Sequence, residues 1–311
     1  MGRVLYASRP GDAVYFSVVF QSRELQRTIM GILIGGVSEE VEGLVTCSWI
    51  DSPGPGPTGL RLTTEDREER SAESWVHAIV LHTTRGIPGG LDQRRQRILS
   101  GVPPTAEHVR SVLDGWASDH CCASAHFVID FDGSVACVAD PLTETTYHAG
   151  HRAINHHSIG IEMYQGESAE LYEVQLESTV RLVDFLTRRF GIQRQFHWPY
   201  HNQALARILD GGSSVVGVYG HREASDDRGE GDPGDAIFEE LRRAGYERFN
   251  FAQGEDLAVW RARQEELNQR LGVGITTDGV PGLQTVLALR EADRPHGLWV
   301  SRPGDSVGRA P

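Results

Sequence analysis

Two short apolar runs, each leading into a histidine, constrain this chain more than any other feature. His77-Ala78-Ile79-Val80-Leu81 runs into His82, and Val215-Val216-Gly217-Val218-Tyr219 reaches His221 after one glycine. The first is a short apolar run without polar alternation, which predicts a strand buried on both faces. Ile159-Gly160-Ile161-Glu162-Met163 reads as a further strand. Phe127 to Asp130 turns through Asp132-Gly133 into Ser134 to Val138, the pattern of a hairpin. Helices are predicted between these strands. One is capped by Thr105 and runs to about residue 118; another spans Ala169 to Phe190 and stops at Gly191; a short one covers Asp235 to Ala244. Strands and helices alternating on one core predict an α/β domain of about 175 residues.

Composition narrows what such a domain can act on. Net charge is −13, every one of the 30 basic residues is arginine, and the chain has no lysine. An acidic chain without a basic run is not expected to bind nucleic acid or an anionic membrane, because phosphate fields repel it. A catalytic lysine is excluded outright. Cys47, Cys121, Cys122 and Cys137 form no zinc-finger spacing and no CxxC pair, which predicts reduced thiols, with the vicinal pair read as packing. The N-terminus shows no apolar core of signal-peptide length, and the longest apolar run, Ile29 to Val37, holds three glycines. Synthesis in the cytoplasm without an export signal is therefore expected, with any external substrate reached after lysis or delivery.

Three regions are predicted along the chain. Residues 1–70 are β-rich at Val14–Phe20 and Gly43–Ile50 and end in a linker of alternating Pro and Gly followed by the charged stretch Glu65–Arg70. Residues 71–250 carry the α/β pattern. Residues 251–311 hold a predicted helix over Leu257–Leu271 and a second over Pro281–Ala292. The segments Leu5–Val14 and Leu298–Val307 repeat each other at seven of ten positions around Ser-Arg-Pro-Gly-Asp.

The chemistry concentrates at strand ends. His82, His221 and Asp232, the last in Gly231-Asp232-Pro233-Gly234, offer two imidazoles and one carboxylate. Held on rigid strand ends, that set makes a three-ligand zinc site with an open fourth position, able to acidify water and polarise a carbonyl. Glu162, at the end of a strand, suits a proton-shuttling carboxylate. Taken singly, a strand-end histidine is more often a packing or capping residue than a ligand.

Five motifs in order give these residues a context: Ile79-Val-Leu-His82-Thr-Thr; Ala125-His126-Phe-Val-Ile-Asp-Phe-Asp-Gly-Ser-Val135; Tyr147-His148-Ala-Gly150; Asn155-His-His-Ser-Ile-Gly-Ile-Glu162; and Tyr219-Gly-His221-Arg-Glu223 with Asp232-Pro-Gly234. Over about residues 75–245 they resemble the type-2 N-acetylmuramoyl-L-alanine amidases, a family that includes phage amidase-type lysins, cell-wall recycling amidases and peptidoglycan recognition proteins. Tyr172-x-x-Gln175 at the start of the long helix is similar too. The resemblance implies a mixed β-sheet flanked by helices with zinc in a surface groove. It implies zinc ligands at His82, His221 and Asp232, a catalytic carboxylate at Glu162, and substrate contacts at His148, Asn155 and His126. The implied reaction is hydrolysis of the amide between the lactyl group of N-acetylmuramic acid and L-alanine of the peptidoglycan stem peptide.

The sequence departs from that pattern in two places. Many members place a lysine two residues before the last ligand, where Glu230 stands here; Arg228, in a loop about one residue longer, is the candidate replacement, as a permanent charge that donates no proton. Ala125 stands where many members have tyrosine. The stretch Gln193–Ser214 reads as an insertion, and its Phe196, Trp198 and Tyr200 make either a sugar-stacking wall, with Trp198 foremost, or a patch that pins the insertion to the domain. His151, His156 and His157 crowd the approach to Glu162.

Beyond residue 250, Gln264–Leu271 with Thr277–Gly282 and Thr285 resembles a small helical peptidoglycan-binding domain, the bland alternative being a helical hairpin that binds nothing. The Ser-Arg-Pro-Gly-Asp unit is similar to the opening turn of LysM domains, too short here to complete one. Together these features predict a zinc amidase acting on peptidoglycan as a lysin or a delivered effector. Residues 1–70 are then a candidate docking module for a phage or contractile-injection apparatus. The competing reading is a non-catalytic muropeptide recognition protein.

Overall fold

The computed structural model describes residues 31–48, 50, 67–71, 74–84, 109, 112–113, 115–116, 123–165, 171–197, 216–225, 232–249, 254–280, 284–285, 288 and 292. The run Val14–Phe20, the repeated segments near both termini, Thr105, Cys121, Cys122, Trp198 and Arg228 lie outside them.

The fold is a mixed α/β arrangement on one central sheet. Its strands are β3 (Thr46–Ser48), β5 (Ala78–Thr83), β6 (Phe127–Ile129), β7 (Val135–Cys137), β9 (Ser158–Met163), β10 (Gln195–His197), β11 (Gly217–Gly220) and β12 (Glu247–Phe249). Among the described residues they form one eight-stranded sheet in the order β12-β10-β11-β5-β9-β6-β7-β3. All neighbours pair in parallel except the hairpin β6–β7. Two small sheets accompany it, one of β1 (Ile32–Ile34) with β2 (Val37–Glu39), the other of β4 (Arg67–Glu69) with β8 (Glu144–Thr146), and a short helix, α1 (Arg152–His157), leads into β9.

The central strands form where the apolar runs predict them; β5 is zipped on both sides through Leu81, and β9 carries it on through His82 and Thr83. Gly217–Gly220 pair with Ala78–Leu81, and Ser158–Met163 pair with Ala78–Thr83, so His82 stands opposite Glu162. The hairpin turn closes at Gly133, φ +79°, where a Cβ would meet Ser178 Oγ at 2.6 Å and the Val174 carbonyl at 2.8 Å. Only glycine fits a left-handed turn pressed so closely onto a helix.

That helix, α2 (Glu173–Phe190), begins at Tyr172 and ends at Gly191, whose φ of +64° is the left-handed C-cap. Gln175 Oε1 accepts the Tyr172 N–H at 3.0 Å while Gln175 Nε2 donates to the Tyr164 carbonyl at 2.8 Å, so the Tyr-x-x-Gln motif is a helix start tied to β9. Leu182, Val183, Leu186 and Phe190 of α2 and Ile237, Phe238 and Leu241 of α4 (Ala236–Arg243) pack with Ile79, Leu81, Ile159, Ile161 and Val218. Each fully buried aliphatic side chain contributes about 1.5–3 kcal/mol. Alternation then commits Ala78, Val80, His82, Ser158, Gly160 and Glu162 to the opposite face.

Three expectations change here. Residues 32–50 do not stand apart from the α/β region: β3 extends the central sheet beside β7, and Ile32, Ile34, Val41 and Ile50 join its main core. The division expected at residue 70 therefore runs through one sheet. The charged stretch read as linker contains β4, and Arg70, only 5% exposed, follows it. Gln195–His197, read as part of an insertion, is a sheet strand, with Phe196 buried against Phe238 at 5.8 Å between ring centroids. Phe196 thus belongs to the core and not to a sugar-facing wall.

The remaining segment includes α5 (Gly254–Leu271). Its Gln264 is buried; the side-chain amide donates to the Val280 carbonyl at 2.9 Å and Thr285 Oγ1 at 3.0 Å and accepts the Gly279 N–H at 2.8 Å. Trp260 and Leu267 share one apolar cluster with Val80, Ile154 and Tyr219 on the second face of the sheet. The boundary expected at residue 250 is thus bridged by packing. Among the described residues no helix is long and apolar enough to cross a membrane, and Cys137 is buried with its Sγ directed to the Ala139 carbonyl at 3.5 Å.

Candidate metal centre and catalytic site

The second face of the sheet brings His82, His221 and Asp232 together. His82 rides on β5, and His221 opens the short helix α3 (His221–Ala224) directly after β11, the strand beside β5. The two Nδ1 atoms face each other at 2.9 Å, and Asp232 Oδ2 lies 3.1 Å from His221 Nδ1. All three donor atoms fall within 4.8 Å of one another, and all three residues are buried. Two imidazole nitrogens and one carboxylate oxygen converging this closely suit a zinc ion.

The loop bearing Asp232 is held at several points. Thr83 N–H donates to Asp232 Oδ1 at 2.9 Å, and Arg222 N–H donates to the Asp232 carbonyl at 2.8 Å. Gly220 permits this approach, since a Cβ there would meet Pro233 Cδ at 2.7 Å. Glu223 accepts the Gly220 N–H and the Arg222 Nε–H, both at 2.8 Å, which braces α3 below His221. Burial pushes the Glu223 carboxyl up to about 7, against the opposing pull of Arg222. The Arg222 guanidinium lies over the Phe238 ring and reaches Asp235 at 2.8 Å.

Glu162 is half-buried on the same face as His82 and one strand away. His148, Asn155 and His126, also expected at the site, stand behind this row. His148 is 6% exposed and lies between His82 and Ser158, with ring nitrogens 3.3 Å and 3.2 Å from them. Asn155 turns its amide oxygen to the backbone N–H groups of His148 and Ala149, at 3.2 and 2.8 Å. His126 is fully buried: its Nδ1 accepts the Gly160 N–H at 3.0 Å, and its Nε2 donates to the Glu144 carbonyl at 3.1 Å. With no surface of its own, His126 stands as a brace behind the site. Burial, and then the nearby Arg70 charge, hold His126 well below the usual histidine range. Burial does the same to His148, reinforced by His126, His221 and Arg70.

Arg70 was not anticipated. Its guanidinium is spent on the carbonyls of Glu144, His156 and Ser158 and lies 3.2 Å from His126 Nε2. Ser158 and the Thr83 amide were missed as well. Nothing in their local sequence marks them: Thr83 meets Asp232 from a turn 149 residues away, and Ser158 meets His148 only once the chain folds back on β9.

The family model for N-acetylmuramoyl-L-alanine amidase matches residues 72–235, more than half of the chain. The chain belongs to this amidase family. The match begins just before β5 and ends just after Asp232, so it encloses every residue of the converging set. The amidase is similar to several solved structures. The N-acetylmuramoyl-L-alanine amidase LysC from Clostridium intestinale URNW is 16% identical, covering 57% of this chain and 91% of that one, with a TM-score of 0.33. A selenomethionine AmpD derivative is 20% identical over 58% and 92%, TM-score 0.35. A mutant endolysin from Bacillus subtilis is 18% identical over 64% and 99%, TM-score 0.37. No curated protein sequence shows a significant match.

Proposed function

We propose that this amidase is zinc-dependent and hydrolyses the amide between the lactyl group of N-acetylmuramic acid and L-alanine of the peptidoglycan stem peptide. The observation that carries the reading is the convergence of His82, His221 and Asp232 beside Glu162. Zinc held by those three side chains supplies Lewis acidity, which makes water nucleophilic at neutral pH and polarises the carbonyl. Glu162 takes the proton as the water oxygen bonds to the lactyl carbonyl carbon. It returns that proton to the L-alanine nitrogen as the carbon–nitrogen bond breaks, leaving a lactyl carboxylate and a free amine. Arg228 is assigned to charge stabilisation of the tetrahedral oxyanion, a task a guanidinium performs without proton transfer.

His148 and Asn155 act from behind the ligands, and Trp198 is the proposed sugar contact. The setting we assign is a lysin or a delivered effector that acts on the cell wall, with the N-terminal region as its link to a phage or injection apparatus. The segment after residue 250 is assigned to peptidoglycan binding. Purified protein incubated with peptidoglycan is expected to release free stem peptides. The release should stop with a chelator and return with zinc. Binding without release would establish a recognition protein instead.

A further inference from the structure

The hydrogen bonds behind His82 leave little freedom in where each proton sits. The Ile154 carbonyl can only accept, and Ser158 Oγ lies 2.6 Å from it, so the serine hydroxyl proton is committed there. His148 Nε2 lies 3.2 Å from the same Oγ, whose proton is already used. Nε2 must therefore donate. His82 Nδ1, turned toward His221 and Asp232, has to be bare to hold a metal, so the proton of that ring sits on Nε2 and His148 Nδ1 opposite it offers a bare lone pair. That lone pair faces His82 Nε2 at 3.3 Å, and His82 Nε2 supplies the proton between them. A neutral His82 protonated at Nε2 keeps its Nδ1 lone pair turned toward His221 and Asp232.

We propose that His148 and Ser158 are positioning residues whose committed protons, counted from the Ile154 carbonyl, fix His82 in its metal-ready tautomer. The ring of His148 is itself held from several sides. Asn155 Oδ1 takes its backbone N–H and that of Ala149. Gly160 provides the space: a Cβ there would stand 2.7 Å from His148 Cγ. A side chain so confined is built to orient a neighbour. A ligand histidine held by an outer hydrogen-bond acceptor is both oriented and made more basic. The relay rests on the zinc reading given above, and its test separates the two.

In the zinc-free wild-type protein, nitrogen-15 spectra of the histidine rings should show both His148 and His82 protonated at Nε2. Protonation of His148 at Nδ1 overturns the relay. Zinc affinity, measured by competition with a chromophoric chelator, should fall about 10- to 100-fold in His148→Phe, which has no acceptor. His148→Gln, whose amide oxygen can accept, should recover most of that loss. Ser158→Ala should weaken zinc by a smaller factor and let His148 sample both tautomers, while Ser158→Thr should not. A folded His148→Phe that binds zinc as tightly as wild type overturns the relay. The wild-type spectrum decides the matter should that variant fail to fold. Failure of the wild type to take up zinc would overturn the proposed function, and the tautomers would still be read on the same sample.

Discussion

Thr83 and Asp232, 149 residues apart in sequence, are joined by a 2.9 Å hydrogen bond from backbone amide to carboxylate. The residue beside one proposed ligand thereby orients another, and Asp232 is left with one oxygen for the metal and one for the scaffold. Asp232→Asn keeps an acceptor for Thr83 and removes the charge. It is expected to lower zinc affinity and amidase rate by about 100-fold or more, with a thermal midpoint close to wild type. Chelator competition and calorimetry on the same preparation check both halves.

Gly160 sits beneath His148. Gly160→Ala would drive a methyl to 2.7 Å from the imidazole Cγ and 3.0 Å from its Cβ. Overpacking of this kind costs about 1–3 kcal/mol. The ring can yield only by leaving His82 or Ser158, so zinc affinity should fall together with stability. A urea midpoint that moves without any change in zinc affinity would contradict this coupling.

Acid should destabilise the fold through its buried neutral histidines. His197 donates to the Val216 carbonyl at 2.9 Å, yet burial lowers its pKa to about 4; His126 is lowered too, by burial and then by Arg70. For a histidine depressed in the folded state, the unfolded chain binds more protons between the two pKa values. The stability is then intact above about pH 6.5 and is lost as pH falls toward about 4, at up to about 1.4 kcal/mol per pH unit for each such group. Urea unfolding at pH 7.5, 6 and 5 should show that decline. His197→Gln should have a shallower slope over the same range.

Asp140 tests whether the N-terminal hairpin belongs to the catalytic fold. Its carboxylate accepts the N–H groups of Gly35 and Gly36 at 2.9 and 2.8 Å, at a β1–β2 turn where both glycines have positive φ, and also that of Leu142 at 2.9 Å. Asp140→Ala should cost about 1–3 kcal/mol by leaving these donors unsatisfied. It should also expose the hairpin to proteases before the rest of the domain. Limited proteolysis followed by mass spectrometry locates the first cut.

Much of this was legible in the sequence. The run into His82, the Asp132-Gly133 turn and the Gly191 stop each carry a local signal, and the structure forms them there. The candidate ligand set was visible because His82 and His221 sit at or beside strand ends and Asp232 stands in an ordered motif. β10 was not legible, since three residues between Arg194 and Trp198 are too short for periodicity to register. Arg70 hid in a charged stretch, and its burial depends on three carbonyls from two distant segments. The roles of Ser158 and His126 were likewise set by neighbours brought in by the sheet.

Glu162→Gln carries the most direct test. The variant keeps the side-chain volume and removes the base, while His82, His221 and Asp232 remain. We predict that the variant binds zinc as tightly as wild type and releases new L-alanine amino termini from peptidoglycan about 100-fold or more slowly. Release at the wild-type rate from zinc-loaded Glu162→Gln would contradict the assignment of proton transfer to this carboxylate.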